Sequence, residues 1–287
     1  MSIIRVVSYN IHKGRSALMS RESLRALRLE LYGLRPDLVF LQEVQGRNDQ
    51  ASRFHAQHES LGAALHMDVA YGRNAIRDRT DHGNALLSRF KIAAFENQDI
   101  SDHKMEQRGL LHAQVPVGEH NVHCFVVHLG LFAGSRTRQT QALVDRIGRL
   151  VPEGDPIIIA GDFNDWADRL SPQFVQQLGL YEVFAHAPRT HGGELPTLRD
   201  SMRRIANTLR GVPNALTAME RTRQLGMGAG TAAPVPPPRT FPAVFPWFRL
   251  DRIYQRGFAV RSARVLHGRQ WAKLSDHSPI LTELELP

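Results

Sequence analysis

The order of residue patterns predicts an α/β fold, and three observations carry that prediction. Short β-branched or apolar runs of strand length recur along the chain, separated by amphipathic stretches of helical period. Strands outnumber helices but alternate with them. Polar and ionisable residues cluster just after the ends of the strands, which is where α/β folds form their sites.

The first strand is expected at residues 3–8. Ser20 then reads as an N-cap with Glu22 in the first turn, and Leu24, Leu27, Leu31 and Leu34 give a helix with one buried face, stopped by Pro36. The next strand covers residues 37–42 and ends at Glu43. A short strand at 85–87 follows the polar stretch Asp81-His82-Gly83-Asn84. Residues 122–127 form a strand ending in His128, and residues 135–150 a helix with Ala142, Leu143, Ile147 and Leu150 on one side. The fully apolar strand 156–160 runs straight into Gly161-Asp162-Phe163-Asn164-Asp165. Residues 250–254 and 279–284 supply the remaining strands. There is no internal repeat.

The chain has 287 residues, 42% of them hydrophobic and 22% charged, which excludes a wholly disordered or fibrous protein. By length alone two domains would be ordinary. The 36 basic and 28 acidic residues give a net charge of +8, which suits an anionic partner or simply a solvated basic surface. Between residues 198 and 239 there are seven basic and two acidic residues, so five of those charges fall in one segment and the rest of the chain is close to neutral. That segment starts with Met202, Ile205 and Leu209 at helical spacing. It then turns Gly-rich and Pro-rich, which reads as an inserted helical flap with a linker. With Arg203, Arg204 and Arg210 around the apolar face, it is the part expected to meet an anionic membrane surface or nucleic acid.

Cys124 is the single cysteine, so disulfides, Cys-rich zinc modules and iron–sulfur centres are excluded. Its apolar surroundings make it a buried small hydrophobe. The first residues lack a basic start followed by a long apolar run, and no window reaches the roughly 20 apolar residues of a membrane helix. The expectation is a soluble, cytoplasmic protein.

The strand-end residues are Asn10, Glu43, Asn84, His128, Asp162, Asn164, Asp251, Asp276 and His277. Hard oxygen donors without cysteine suit Mg²⁺ or Mn²⁺, and histidines beside carboxylates can move protons or stabilise developing charge. Together they point to metal-assisted attack of water on phosphorus. Singly, each is as well explained by a cap or turn.

Read in order, Ser8-Tyr9-Asn10-Ile11-His12, Leu41-Gln42-Glu43, Gly83-Asn84-Ala85-Leu86-Leu87-Ser88, His128-Leu129, Gly161-Asp162-Phe163-Asn164, Leu250-Asp251-Arg252-Ile253 and Ser275-Asp276-His277-Ser278-Pro279 resemble the signature blocks of the endonuclease/exonuclease/phosphatase superfamily. Tyr71-Gly72-Arg73-Asn74-Ala75, Arg108-Gly109 and Arg239-Thr240-Phe241-Pro242 resemble a poorly characterised bacterial branch, some members of which are encoded beside a cardiolipin synthase. The resemblance implies a four-layer α/β sandwich of two packed mixed β-sheets flanked by helices. It also implies one catalytic domain over residues 1–287 that carries the 198–239 insertion. It further implies a phosphohydrolase, foremost a phosphodiesterase, acting on nucleic acid, a phospholipid headgroup or a small phosphodiester, with no obligate protein partner. The alternative is a binding module for phosphate or anionic lipid on the same fold, against which the full residue set argues.

Roles follow by position from the same resemblance. Glu43 is the principal metal carboxylate, supported by Asn10, and Asp276 is a further metal contact. Asp162 orients or deprotonates the attacking water, with Asn164 beside it. His277 binds the scissile phosphate and is partnered by Asp251, while His128 assists the leaving group. Asn84 and Arg108 contact the phosphate. The chain departs from abasic-site endonucleases, which have an aspartate at the place of His12 and a tyrosine at that of His128, and this argues against abasic-DNA repair. His12 and Lys13 face either the phosphate or the scaffold.

Overall fold

The structure is a computed structural model, and it describes residues 2–16, 23–51, 54–103, 106–187 and 238–286. By contacts, residues 1–187 and 236–287 form one unit, and both β-sheets and the residues of the candidate site lie within it. The expected insertion lies outside the described residues except for Pro238 and Arg239, as do Ser20 and Glu22, the expected cap of the first helix.

Two six-stranded mixed sheets face each other. The first runs β11-β12-β1-β2-β4-β3, where β1 is Ser2–Asn10, β2 Leu38–Asn48, β3 Asp68–Ile76, β4 Thr80–Ser88, β11 Ala259–Val265 and β12 Ile280–Leu286. The second runs β5-β6-β7-β8-β10-β9, where β5 is Ala94–Asp99, β6 Gly109–Val117, β7 His120–His128, β8 Ile157–Asp162, β9 Tyr181–Glu182 and β10 Asp251–Arg256. Helices α1 (Leu24–Leu34) and α2 (Gln57–Leu65) belong with the first sheet, and α3 (Ala133–Leu150) and α4 (Ser171–Leu178) with the second. Two single turns, α5 (Val183–His186) and α6 (Arg269–Ala272), complete the α-helices among the described residues, and a 3-10 turn spans His12–Gly14.

The period-two alternation of strand side chains sorts the apolar residues into three layers. Ile4, Val6, Leu38, Phe40, Cys124, Val126, Ile158 and Ala160 point inward between the sheets. Their sequence neighbours Val7, Tyr9, Val39 and Leu41 point outward to meet Leu24, Leu27 and Leu31 of α1. On the other side Phe125, Val127, Ile157 and Ile159 meet Leu143 and Ile147 of α3 and Phe174 of α4. Cys124 is fully buried, as its apolar run predicts, and burial pushes its thiol up.

The main departures from the sequence reading have physical causes. Helix α3 starts at Ala133, two residues early, and Leu150 is exposed rather than packed. Its buried face carries Ser135, Arg136, Gln139, Thr140 and Arg146 beside Leu143 and Ile147. Ser135, Arg136, Gln139 and Arg146 bond to loops and to β-strand side chains, which hydrophobic periodicity does not register. Strand β4 starts at Thr80, not residue 85, so Asp81, His82 and Asn84 lie inside a strand. Strands β3, β5, β6, β9 and β11 and helices α2, α4, α5 and α6 belong to no element expected from the sequence.

Candidate active site

The parallel pairs β1–β2 and β7–β8 both end at one edge of the sandwich, and the antiparallel strands β10 and β12 begin there. Register then places the chemistry. Asn10 is the last residue of β1, and Gln42, its partner in β2, immediately precedes Glu43. His128 pairs with Asp162 at the ends of β7 and β8, and Asp251 pairs with Asp162 from the start of β10. His277 arrives from the turn before β12.

Glu43 leaves the alternation of β2 through a bulge. Leu41 pairs with Ala85 and Val44 with Gly83, so Gln42 and Glu43 together oppose Asn84. The extra residue re-aims the carboxylate. Its φ of 54° is left-handed, as are those of His12 (47°), Lys13 (56°) and Asn164 (49°) in the adjoining loops. Each such residue costs on the order of 1–3 kcal/mol, and strain of this kind gathers at functional sites.

Asp162 is the hub. Its Oδ1 accepts the Asn164 N–H at 3.0 Å, and its Oδ2 accepts Asn10 Nδ2 at 3.2 Å. The same Oδ2 lies 3.6 Å from His128 Nε2 and 3.7 Å from His277 Nε2. Burial pushes its carboxyl up to about 6, with His277 opposing and Asp251 reinforcing. His277 Nδ1 meets Asp251 Oδ2 at 2.9 Å, and Asn10 Nδ2 is 3.5 Å from Nε2. Burial disfavours the charged ring, yet Asp251 and then Asp162 outweigh it and hold His277 up to about 10. The ring is therefore an imidazolium held between two buried carboxylates. His128 is the opposite case. Burial, with Arg108 adding, holds it well below the usual histidine range, so it is neutral at neutral pH.

Glu43 is held well below the usual carboxylate range. Burial alone would raise it, but the positive groups near it prevail. Because His128 is neutral, Lys13 is the cation that acts at neutral pH, and its Nζ donates to Glu43 Oε2 at 2.8 Å. Asn10 Oδ1 accepts the His12 N–H, and Asp276 Oδ1 accepts from Ser275 Oγ at 3.2 Å and lies 3.6 Å from His12 Nδ1. Glu43, Asn10 and Asp276 offer hard oxygen donors of the kind a small divalent metal takes, and Lys13 already brings a cation to Glu43. Asp162, Asp251 and His277 also bring ligand atoms within 4.8 Å of one another. There both ring nitrogens already face carboxylates and the ring holds its proton, so the group is better matched to an anion beside His277 than to a metal.

Two expected phosphate contacts already use their side-chain nitrogens on neighbouring groups. Asn84 is fully buried, and its Nδ2 bridges to Gly109 O at 2.9 Å and Val126 O at 3.2 Å, tying the two sheets. Arg108 spends its guanidinium on Leu129 O (3.3 Å), Gln107 O (3.4 Å) and Glu106 Oε1 (3.1 Å) at the margin of the site. Asn164 Nδ2 donates to Leu129 O at 2.9 Å, which ties this loop to the end of β7. His82 was missed in the sequence reading. Burial pushes it down to about 4, with Lys13 adding to the effect and Glu43 opposing it. Its place inside β4 offers no strand-end signal. Arg252 was also missed, and its fully buried guanidinium donates to Asp165 O at 2.9 Å and Arg249 O at 2.5 Å, clamping the loop that follows Asp162.

Comparison with known proteins agrees with this geometry. The Endonuclease/Exonuclease/phosphatase family model matches residues 7–277. The uncharacterized protein YbhP of Escherichia coli (strain K12) is 33% identical over 291 residues, covering 98% of this chain and 96% of YbhP. Among solved structures, an endonuclease/exonuclease/phosphatase from Beutenbergia cavernae DSM 12333 superimposes with a TM-score of 0.69 at 17% identity, over 100% of this chain and 72% of that one. D. rerio TDP2 complexed with single strand DNA product superimposes with a TM-score of 0.62 at 18% identity, over 99% of this chain and 100% of that one.

Proposed function

From a chain that belongs to the endonuclease/exonuclease/phosphatase family, whose members are usually hydrolases of phosphoester bonds, we propose a divalent-metal-dependent phosphodiesterase that directs water onto phosphorus. The observation that carries this reading is the buried series Asp251–His277–Asp162, in which one carboxylate fixes an imidazolium and the other faces it.

Glu43, with Asn10 and Asp276, is the metal-holding group. A divalent cation such as Mg²⁺ or Mn²⁺, if held there, would supply Lewis-acid charge to the phosphate. Asp162, titrating near 6, is suited to take a proton from the attacking water around neutral pH. The Asn164 N–H and Asn10 amide hold its two oxygens in one orientation, which lowers the reorganisation needed to react. His277, fixed by Asp251 Oδ2, presents Nε2–H and a positive charge to a phosphoryl oxygen and stabilises the charge that grows there. His128, neutral and 3.6 Å from Asp162, is placed to hydrogen-bond the leaving oxygen. Candidate substrates are nucleic acids, phospholipid headgroups and small phosphodiesters.

The test is hydrolysis of an aryl phosphodiester and an aryl phosphomonoester with Mg²⁺, with Mn²⁺ and with EDTA. Diester cleavage that EDTA abolishes is expected, and Glu43→Ala should lower it by about 10³-fold or more. Metal-independent turnover, or full activity in Glu43→Ala, would refute the proposal.

A further inference from the structure

The loops around this edge are apolar where solvated loops are ordinarily polar. Leu131 and Phe132 follow His128 and are 55% and 63% exposed, and Trp166 follows Asp162 at 49%. Val244, Phe245 and Trp247, in the loop that leads to Asp251, are 71%, 64% and 60% exposed. Isolated exposed apolar residues are commonplace, but several on adjoining loops mark an interaction surface.

These loops are tied to one another and to the site. Asn164 Nδ2 donates to Leu129 O, and Phe163 N to Leu250 O at 2.8 Å. Arg252 joins Asp165 O to Arg249 O. Ala243 N donates to Asp276 O at 2.6 Å, Ser278 N to Thr240 O at 2.8 Å, and the Phe241 ring lies 4.8 Å from that of His277. The apolar side chains thus form a collar whose bases are the residues of the site.

Two observations select the occupant. Phe245 and Trp247 meet edge to face, at 68° with centroids 5.0 Å apart, and Val244 and Leu131 have no π-face. That is an apolar knob, whereas nucleic-acid platforms present free ring faces for stacked bases. The exposed charged side chains of the same loops are Arg169, Arg239 and Lys273, all cationic, while Asp162, Asp165 and Asp251 are buried and Asp168 and Asp276 half-buried. Aromatic and aliphatic tips among cations match the interface of an anionic bilayer.

We infer that the collar docks the protein on anionic phospholipid membranes and presents the site to phosphodiesters at the lipid surface. The substrate half of this inference rests on the phosphodiesterase reading, whereas the docking half does not.

The experiment uses the full chain in co-sedimentation with phosphatidylcholine vesicles with and without phosphatidylglycerol, alongside binding to oligothymidylate and tryptophan emission. Of the three tryptophans, Trp271 is already buried, so a change of emission on binding reports Trp166 and Trp247. Sedimentation with the anionic vesicles and a blue-shifted emission are expected. The double variant Phe245→Ser/Trp247→Ser should lower vesicle partition by about tenfold or more, with an unchanged circular dichroism spectrum and unchanged hydrolysis of a soluble aryl phosphodiester. Phe245→Leu/Trp247→Phe should restore binding. Three outcomes would overturn the docking: vesicle binding absent or insensitive to the double variant, collar-dependent binding of oligothymidylate without vesicle binding, or self-association that needs Phe245 and Trp247 without vesicle binding. Collar-dependent vesicle binding without any hydrolysis would instead overturn the phosphodiesterase reading and leave the docking standing.

Discussion

Asp251→Asn probes the site through a single atom type. Asparagine keeps the size of Asp251 and an acceptor oxygen for His277 Nδ1, now 2.9 Å from Oδ2, but removes the charge. Against burial, that charge and the charge of Asp162 raise His277 from 6.5 to about 10, a preference for the protonated ring of roughly 5 kcal/mol. Asp251 is the larger of the two sources. Asp162 at 3.7 Å is left alone against the same burial, so the variant ring should titrate about two pH units lower or more, a loss of roughly 3 kcal/mol. Because the folded-state value is raised, the stabilisation is fully present below 6.5 and is lost as pH rises through about 10. The stability gap between wild type and variant should therefore narrow across that window. Nitrogen-detected NMR of the imidazole follows the titration, urea unfolding follows the gap, and the kcat profile should lose its alkaline end with a fall of about 10²–10³-fold. A ring that still titrates near 10 in the variant, or an unmoved pH profile, would refute the assignment of Asp251 as the source of the charge.

Three further outcomes follow from the same geometry. Burial raises Asp162 to about 6, so wild type loses stability as pH climbs from 3.8 through 6. Asp162→Asn should lack that loss, melt no lower than wild type above pH 6, and hydrolyse about 10²–10⁴-fold more slowly, whereas normal turnover would exclude Asp162 as the base. Lys13→Met frees the Glu43 carboxylate of its ammonium, and calorimetric titration with Mn²⁺ should show about tenfold tighter binding, with weaker binding contradicting Glu43 as the metal carboxylate. Gly161 has φ 154° and a Cβ there would lie 1.9 Å from Val127 O, so Gly161→Ala should cost about 2–4 kcal/mol in urea unfolding; a change below about 0.5 kcal/mol would show that β7 and β8 can separate locally.

The strands and helices with clean periodicity were legible in the sequence. Leu24, Leu27 and Leu31 are buried on one face of α1, and the all-apolar run 156–160 sits between two layers as β8. Legibility failed where polar side chains do the packing. Arg146 is buried in α3 through bonds to Glu96, Gln98 and His112, and Asn84 sits inside a strand with its Nδ2 donating to two carbonyls. No local pattern distinguishes such residues from solvent-facing or ligand-facing ones.

By itself the sequence determined the class of fold and the list of reactive side chains, because hydrophobic period and residue type are local properties. Five of its eight net positive charges were also visible as belonging to residues 198–239, outside the site-bearing loops apart from Arg239. Only the tertiary structure decided which residues meet. The parallel ends of β1–β2 and β7–β8 bring Asn10, Glu43, His128 and Asp162 to one edge across long stretches of chain. Packing also set their charge states, making one histidine a cation between two carboxylates and leaving the other neutral, since a pKa depends on burial and neighbours that no sequence interval encodes. The apolar collar is likewise a tertiary fact, because Phe132, Trp166 and Trp247 belong to three separate loops that hydrogen bonds hold side by side.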